Sequence, residues 1–219
     1  MEKRPSIAVI GRGLIGSAAA RHLANAGQDV TLIGPVEPAD KRTHQGVFAS
    51  HYDEGRITRK NATDIFWAEA SIASIARYRM IEANSGIAFF SPVGALMAGT
   101  ESGEFLGNAR RVAQQLSVLH QDLRGELVAE VIPDLSLPND WSALWEPDDS
   151  GHISPRRLVA AQTKLAEAGG ATLFDGVVTG LEETAAGVKV HTKAVTPVFD
   201  QVLVAAGGMT DHVSVSYTH

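Results

Sequence analysis

Cysteine is absent from the 219 residues. That removes any disulfide framework and any thiolate metal site, and it makes a reducing compartment, the cytoplasm, the expected setting. Aromatic residues are few, at 6%. Trp67, Trp141 and Trp145 suit core or interface positions better than an aromatic cage. No apolar run reaches the roughly 18 residues needed to cross a bilayer. Residues 7–10 form a short apolar run with a glycine turn behind it, which reads as a buried strand and not as a signal segment. Basic charge is in deficit: 19 Lys and Arg face 25 Asp and Glu, a net charge of −6. Apart from short pairs such as Arg110-Arg111 and Arg156-Arg157 the basic residues are dispersed, so the chain lacks the electrostatic footprint of a nucleic-acid partner. His44, His120 and His152 have no ligand spacing, and no metal site is expected. A G-x-S-x-G elbow, which would mark a serine hydrolase, does not occur.

The remaining composition, 44% hydrophobic and 20% charged, is that of an ordinary globular protein long enough for one large domain or a domain and part of another. Ser6–Ile10 reads as a strand buried on both faces. Residues 14–26 carry small and apolar side chains at helical spacing and stop at Gly27. Asp29–Ile33 is a second strand, completing a βαβ unit with an expected right-handed crossover. Between the first strand and the helix stands Gly11-Arg12-Gly13-Leu14-Ile15-Gly16. In such a loop the first glycine permits the tight turn, the second admits a pyrophosphate to the backbone and the third lets helix and strand pack closely. The free N–H groups and dipole of the helix then face the phosphates. Strand, loop, helix and strand together give the context that makes this a dinucleotide-binding motif of Rossmann type. One part is missing. The acid that binds the ribose hydroxyls belongs at the end of the second strand, where the sequence has Gly34. Either Glu37, three residues on, takes over or the ribose is bound otherwise. No basic residue flanks Gly34 in the sequence, so selection of a 2′-phosphate has no support.

Residues 34–60 show no periodicity, and a stretch of that length inside a compact domain is usually functional. A helix is expected over 63–82, with Ile65, Ile72, Ile75 and Met80 among its apolar positions. Residues 88–98 read as a hairpin turning at Pro92-Val93-Gly94. A further helix is expected over 104–119, with Phe105, Ala109, Val112, Leu116 and Leu119 on one face. Ser154-Pro155 is a helix start for a segment running to Ala168 and closed by Gly169-Gly170. Strands follow at 171–174, 177–182 and 188–192. The apolar run 201–206 ends in Gly207-Gly208 with only eleven residues after it, so the chain is expected to be a fragment or to have a tail unlike its parent.

Five further blocks matter by their order: Ser50-His51-Tyr52-Asp53-Glu54-Gly55-Arg56-Ile57-Thr58-Arg59; Gly94-Ala95-Leu96-Met97; Leu144-Trp145-Glu146-Pro147-Asp148-Asp149-Ser150-Gly151; Val177-Val178-Thr179-Gly180-Leu181; and Val202-Leu203-Val204-Ala205-Ala206-Gly207. With the glycine loop they span roughly residues 5–210. The set resembles the FAD-dependent amine and amino-acid oxidoreductases, the D-amino-acid oxidase superfamily, and in particular its sarcosine-oxidase-like branch. The resemblance implies an α/β fold: a Rossmann-type FAD-binding domain (residues 1–84 and 151–219) with an inserted, incomplete α+β substrate domain (residues 85–150). It implies that Gly11, Gly13, Leu14, Ile15 and Gly16 cradle the pyrophosphate, that Ser50 and His51 stand beside the flavin or its phosphates, that Val178 holds the adenine and that Gly207 returns to the FAD. A histidine satisfied by local backbone is the plain alternative for His51. The sequence departs from the branch at Gly34 and at Gly55, where a hydroxyl residue is usual, and it has no cysteine for the thioether link some relatives form.

By the same resemblance Arg56 faces the flavin and Arg59 the substrate carboxylate. The chemistry suits them. In an extended segment, residues three apart point to opposite faces. One arginine can then stabilise negative charge on the reduced ring, and the other can clamp a carboxylate through two parallel hydrogen bonds. The bland alternative pairs both with Asp53 and Glu54. The expected activity is oxidation of the C–N bond of a small amino acid or secondary amine by hydride transfer to flavin, with oxygen as acceptor in the oxidase version. Two alternatives stay open. One is an NAD(P)-dependent dehydrogenase, although no tyrosine has a lysine four residues on. The other is an FAD-binding subunit without turnover.

Overall fold

The computed structural model describes residues 4–217. The first elements in chain order are β1 Ser6–Ile10, α1 Leu14–Asn25, β2 Asp29–Ile33, β3 Arg56–Thr58, α2 Ile65–Ser85, β4 Phe90–Ser91 and β5 Ala95–Thr100. Then come α3 Glu104–Gln115, β6 Gln121–Arg124, α4 Glu126–Val131, β7 Trp141–Glu146 and β8 Gly151–Ile153. The last are α5 Pro155–Ala168, β9 Thr172–Phe174, β10 Val178–Thr184, β11 Gly187–Thr192, β12 Val198–Phe199, β13 Gln201–Val204, a 3-10 turn Gly207–His212 and β14 Ser214–Tyr217. The chain divides into two units. One runs up to Glu54 and contains Ile81–Ala88 and everything from Pro155; the other holds Gly55–Met80 and Phe89–Ser154.

The first unit has three layers. Its central sheet is parallel, in the order β13-β1-β2-β9. Alternate side chains leave this sheet on opposite faces. Val9, Val30 and Leu32 pack with Ala20 and Ala24 of α1, Ala166 of α5 and Ala171. Ala8, Ile10 and Ile33 pack with Val178, Leu181, Val190 and Phe199 of a second sheet, β12-β11-β10-β14. Burial on both faces is why β1 reads as an apolar run over residues 7–10 and why Val30, Leu32 and Ile33 of β2 are apolar. The buried Arg21 of α1 is tied to Gln162 of α5, which joins the two helices behind the sheet. α1 ends where Gly27 adopts φ +73°, its N–H donating to the Ala24 carbonyl at 2.8 Å. The second unit holds two antiparallel three-stranded sheets, β3-β8-β4 and β5-β7-β6. On the latter, Met97 and Leu144 pack against Leu106 and Ala109 of α3, and Ala143 and Leu123 against Val128 of α4.

Several expectations need correction. Residues 88–98 are not a hairpin: β4 pairs with β8 while β5 pairs with β7. Pro92 has no N–H to offer a ladder, and Gly94, at φ +83°, donates instead to the Ser150 carbonyl at 2.8 Å. The helix expected over 104–119 stops at Gln115 because Ser117 turns left-handed at φ +54°. Its buried face is Leu106, Ala109, Val112 and Ala113, and both Phe105 and Leu119 are exposed. α2 starts later than expected because Asp64 caps it, accepting from the N–H groups of Phe66 and Trp67 at 3.0 and 3.3 Å, and its Met80 is exposed. The stretch 34–60 contains the short strand β3.

Candidate cofactor site

The glycine loop is fixed mainly by backbone, with the Ser17 hydroxyl donating to the Gly13 carbonyl at 2.8 Å. Gly11 takes φ +112° and donates its N–H to the Ile33 carbonyl at 2.7 Å, while Ala205 donates to the Ile10 carbonyl at 2.7 Å. The loop therefore rises from the point where β1, β2 and the end of β13 meet. A Cβ on Gly11 would come 2.3 Å from the Ala205 oxygen, and one on Gly16 would come 1.7 Å from the Gly11 oxygen. Neither position has room for a side chain. Gly13 differs: the nearest atom to a Cβ there is His51 Nδ1, at 3.9 Å. Gly13 is also the N-cap of α1 and offers no side-chain cap, so the first N–H groups of the helix, Leu14 and Ile15 included, have no intrahelical acceptor and call for one outside it. Closed at Gly11 and Gly16 and open at Gly13, the loop has the shape and the donors a diphosphate needs.

His51 is buried and stands edge-to-face on Tyr52, ring centroids 4.7 Å apart. It is thus brought to the glycine loop. Ser50, beside it, is exposed. Val178 is buried where β10 begins, and Gly207, at φ +58°, lies two residues past the Ala205 carbonyl that closes the loop. A cavity of about 310 Å³ opens beside the loop, lined by Arg12, Pro35, Glu37, His51, Arg156 and the outward face of α5. Arg156 Nε donates to both oxygens of Glu37, at 2.9 and 2.8 Å. Lys41 Nζ meets the same carboxylate at 2.6 Å. Arg156 also reaches Glu54 and, at 2.9 Å, the Tyr52 carbonyl. Burial pushes the Glu37 carboxyl up, but hydrogen bonds and charge from Lys41 and Arg156 outweigh it and hold the pKa below the ordinary carboxylate value. Removal from water raises the neighbouring Tyr52 phenol, an effect to which Glu37 adds and which Arg12 opposes. The buried Tyr52 hydroxyl has no partner among the described residues, which is costly unless a ligand atom supplies one.

Arg56 and Arg59 belong to the second unit. Arg56 opens β3, paired in register with Ile153. Arg59 lies just past the strand, its Nε donating to the Asn61 carbonyl at 3.1 Å. The next two residues are pinned by the buried Glu146, which accepts from the Lys60 and Asn61 N–H groups at 2.9 and 3.0 Å and from the Ser150 hydroxyl at 2.7 Å. Glu54, the sequence neighbour weighed as a partner of these arginines, is met by Arg156 and Arg157. Sequence reasoning missed Arg156 and Lys41 as the residues that hold Glu37 and Glu146 as the residue that pins Lys60 and Asn61. Only Lys41, four residues after Glu37, left a local trace. No cluster of His, Asp or Glu among the described residues is arranged to hold a metal ion, and no described helix is long and apolar enough to cross a membrane.

Known proteins are similar to this chain in sequence and in fold. The N-methyl-L-tryptophan oxidase of Yersinia pestis (strain Pestoides F) is 31% identical over 201 residues, covering 91% of this chain and 52% of the relative. Among solved structures, the L-proline dehydrogenase of P. horikoshii superposes with a TM-score of 0.77 at 20% identity, over 97% of this chain and 55% of that one. The glycine oxidase of Geobacillus kaustophilus does so with a TM-score of 0.76 at 21% identity, over 96% and 57%. The chain spans about half the length of the curated relatives it matches. Residues 6–217 match the family described as FAD dependent oxidoreductase, and with the glycine cradle built as that cofactor's diphosphate requires, the chain belongs to this family.

Proposed function

We propose that this chain is the FAD-binding part of an oxidoreductase that oxidises the C–N bond of an amino acid or N-methylated amine. The observation that carries the reading is the glycine loop, sealed at Gly11 and Gly16 and open at Gly13 toward His51. Gly11, Gly13, Leu14, Ile15 and Gly16 bind the diphosphate through backbone N–H groups. Glu37 takes the ribose hydroxyls, Val178 borders the adenine, and Ser50, His51 and Gly207 line the path toward the ring. Bound FAD supplies a two-electron acceptor for the hydride of the substrate's α-carbon. Arg56 offers positive charge to that centre, held in place by the β3–β8 ladder. Arg59 binds the substrate carboxylate, with its Nε committed to Asn61 and the plane of the guanidinium thereby set. Position and electrostatics account for the rate without a strong general base. The N-methyl-L-tryptophan oxidase relative supports an N-methylated amino acid as substrate, with oxygen as the terminal acceptor.

The absorbance spectrum of the purified protein tests the cofactor, and anaerobic titration with glycine and N-methylated amino acids tests the activity. The expected result is a flavin spectrum that substrate bleaches and air restores. A colourless protein that binds NAD(P) would favour a nicotinamide dehydrogenase, and a flavin that no amine bleaches would leave a binding subunit. Arg59→Lys is expected to raise KM for carboxylated amines at least tenfold; an unchanged KM removes Arg59 from the site.

A further inference from the structure

The strand end that should carry the ribose acid is closed. A Cβ on Gly34 would meet the backbone N of Arg12 at 2.8 Å and its Cγ and Cβ at 3.0 and 3.1 Å. Arg12 belongs to the glycine loop itself, so no acidic side chain can stand at position 34 without displacing the cradle. Two carboxylates line the same cavity as Arg12, Glu37 and Glu167; Glu37 is the one on the loop that follows β2, three residues past Gly34, and it is not loose. Arg156 Nε spans both its oxygens, Lys41 Nζ takes Oε1, and both cations also hold the Tyr52 carbonyl, at 2.9 Å each. Arg156 further ties Glu54, and its own N–H reaches the Asp53 carbonyl at 3.4 Å. One arginine in the first turn of α5 thus joins both ends of the loop that follows β2.

Resting on the reading of Glu37 as the ribose ligand, we infer that the ribose subsite of this chain has moved from the strand end to the loop, and that Arg156 and Lys41 are the positioning residues that aim Glu37 at the ribose hydroxyls. An ionised carboxylate accepts about four hydrogen bonds. The three contacts from Arg156 and Lys41 leave acceptor capacity on Oε2, beside the cavity. The two cations also keep the carboxylate charged, which strengthens its bonds to hydroxyl donors. Arg156 and Lys41 touch no cofactor atom in this scheme. They act by denying Glu37 other rotamers.

Purified chain freed of nucleotide is titrated with FAD, with ADP and with 2′,3′-dideoxy-ADP by calorimetry. ADP carries both the diphosphate and the ribose diol, and the dideoxy compound keeps only the diphosphate. ADP is expected to bind at least tenfold tighter than dideoxy-ADP. Glu37→Ala is expected to bring that ratio below threefold. Arg156→Met and Lys41→Met are expected to lower the ratio while the dideoxy-ADP affinity stays within twofold, and Arg156→Lys to restore part of it. If the wild type does not discriminate, if Glu37→Ala keeps the ratio, or if the Arg156 and Lys41 variants weaken both nucleotides equally, the inference is overturned, the last result marking a merely structural clamp. Should Arg156→Met fail to fold, Lys41→Met and Arg156→Lys decide the question. If FAD binds while discrimination is absent, only this inference fails. If neither FAD nor ADP binds, the cofactor reading fails with it.

Discussion

Gly16→Ala adds one methyl group at the most confined point of the glycine loop. The new Cβ would come 1.7 Å from the Gly11 oxygen, 2.9 Å from the Gly11 carbonyl carbon and 3.5 Å from Ala205 Cβ. Ordinary contact begins near 3.4 Å, so the first turn of α1 and the Gly11 turn must part by roughly 1.7 Å. Neither is free to move. Gly11 is bonded to Ile33, and α1 is packed through Ala20 and Ala24 against the sheet. Overpacking of this kind costs about 1–3 kcal/mol. With a urea dependence of about 1–3 kcal/mol per molar, the unfolding midpoint read by circular dichroism is expected to fall by about 1 M. The same displacement pulls the helix N–H groups off the phosphate line. A hydrogen bond to a charged group contributes about 1.5–3 kcal/mol, so losing one weakens FAD binding by about tenfold to a hundredfold, read as loss of flavin fluorescence quenching. A Gly16→Ala chain with an unchanged midpoint and FAD affinity within twofold of wild type would refute both the closeness of helix and turn and the role given to the loop.

In the second unit, Leu106 is fully buried against Met97, Ala109 and Leu144; Leu106→Ala is expected to destabilise by about 2–5 kcal/mol, checked by chemical denaturation followed through tryptophan fluorescence. Glu146→Gln exchanges an acceptor for an amide donor that faces a backbone N–H or the Ser150 hydroxyl, so a loss of about 1–3 kcal/mol is expected, and an unchanged midpoint would argue against the triple contact. The lowered pKa of Glu37 gives a signed pH effect. Its ionised form stabilises the folded state fully above the ordinary value of 4.5 and loses that effect as pH falls through the lower folded value. The midpoint difference between wild type and Glu37→Gln is therefore expected to hold from pH 7 to 5 and to narrow below about 4.5; a gap that widens on acidification would contradict it.

What the sequence made legible was what local pattern determines. β1 and β2 fall at the residues expected because both faces of their sheet are buried, which concentrates apolar residues there with glycine at each exit. The Ser154-Pro155 start of α5 was equally plain. β6 and β7 were not, because Gln121–Arg124 has a single buried residue and gains its strand geometry from pairing with Trp141–Glu146. At the site, the missing acid was visible as Gly34, but its cause was not. No basic residue flanks Gly34 in the chain, yet Arg12 lies over it in space. Arg156 meets Glu37 across 119 residues, a separation at which no periodicity carries information. The glycine motif was readable because its function is local; the clamp around Glu37 was not, because it is built from three segments.

The two ends of the cofactor cradle rest on different physics. At Gly11–Gly16 the contacts are mostly backbone, held by the ends of β1, β2 and β13, with the Ser17 hydroxyl added on the Gly13 carbonyl. On the reading proposed, the phosphates meet dipoles and N–H groups that move only with the sheet. Around Glu37 the clamp is built from partly exposed charged side chains, and its ion pairs are screened by salt and lost in acid. The first end supplies affinity common to any diphosphate. The second, on the reading proposed, supplies the recognition of ribose, and it exists only while the loop after β2 is docked on α5. Glycine at position 34 thus shifts the choice of nucleotide from a strand that cannot move to a loop whose order depends on Arg156.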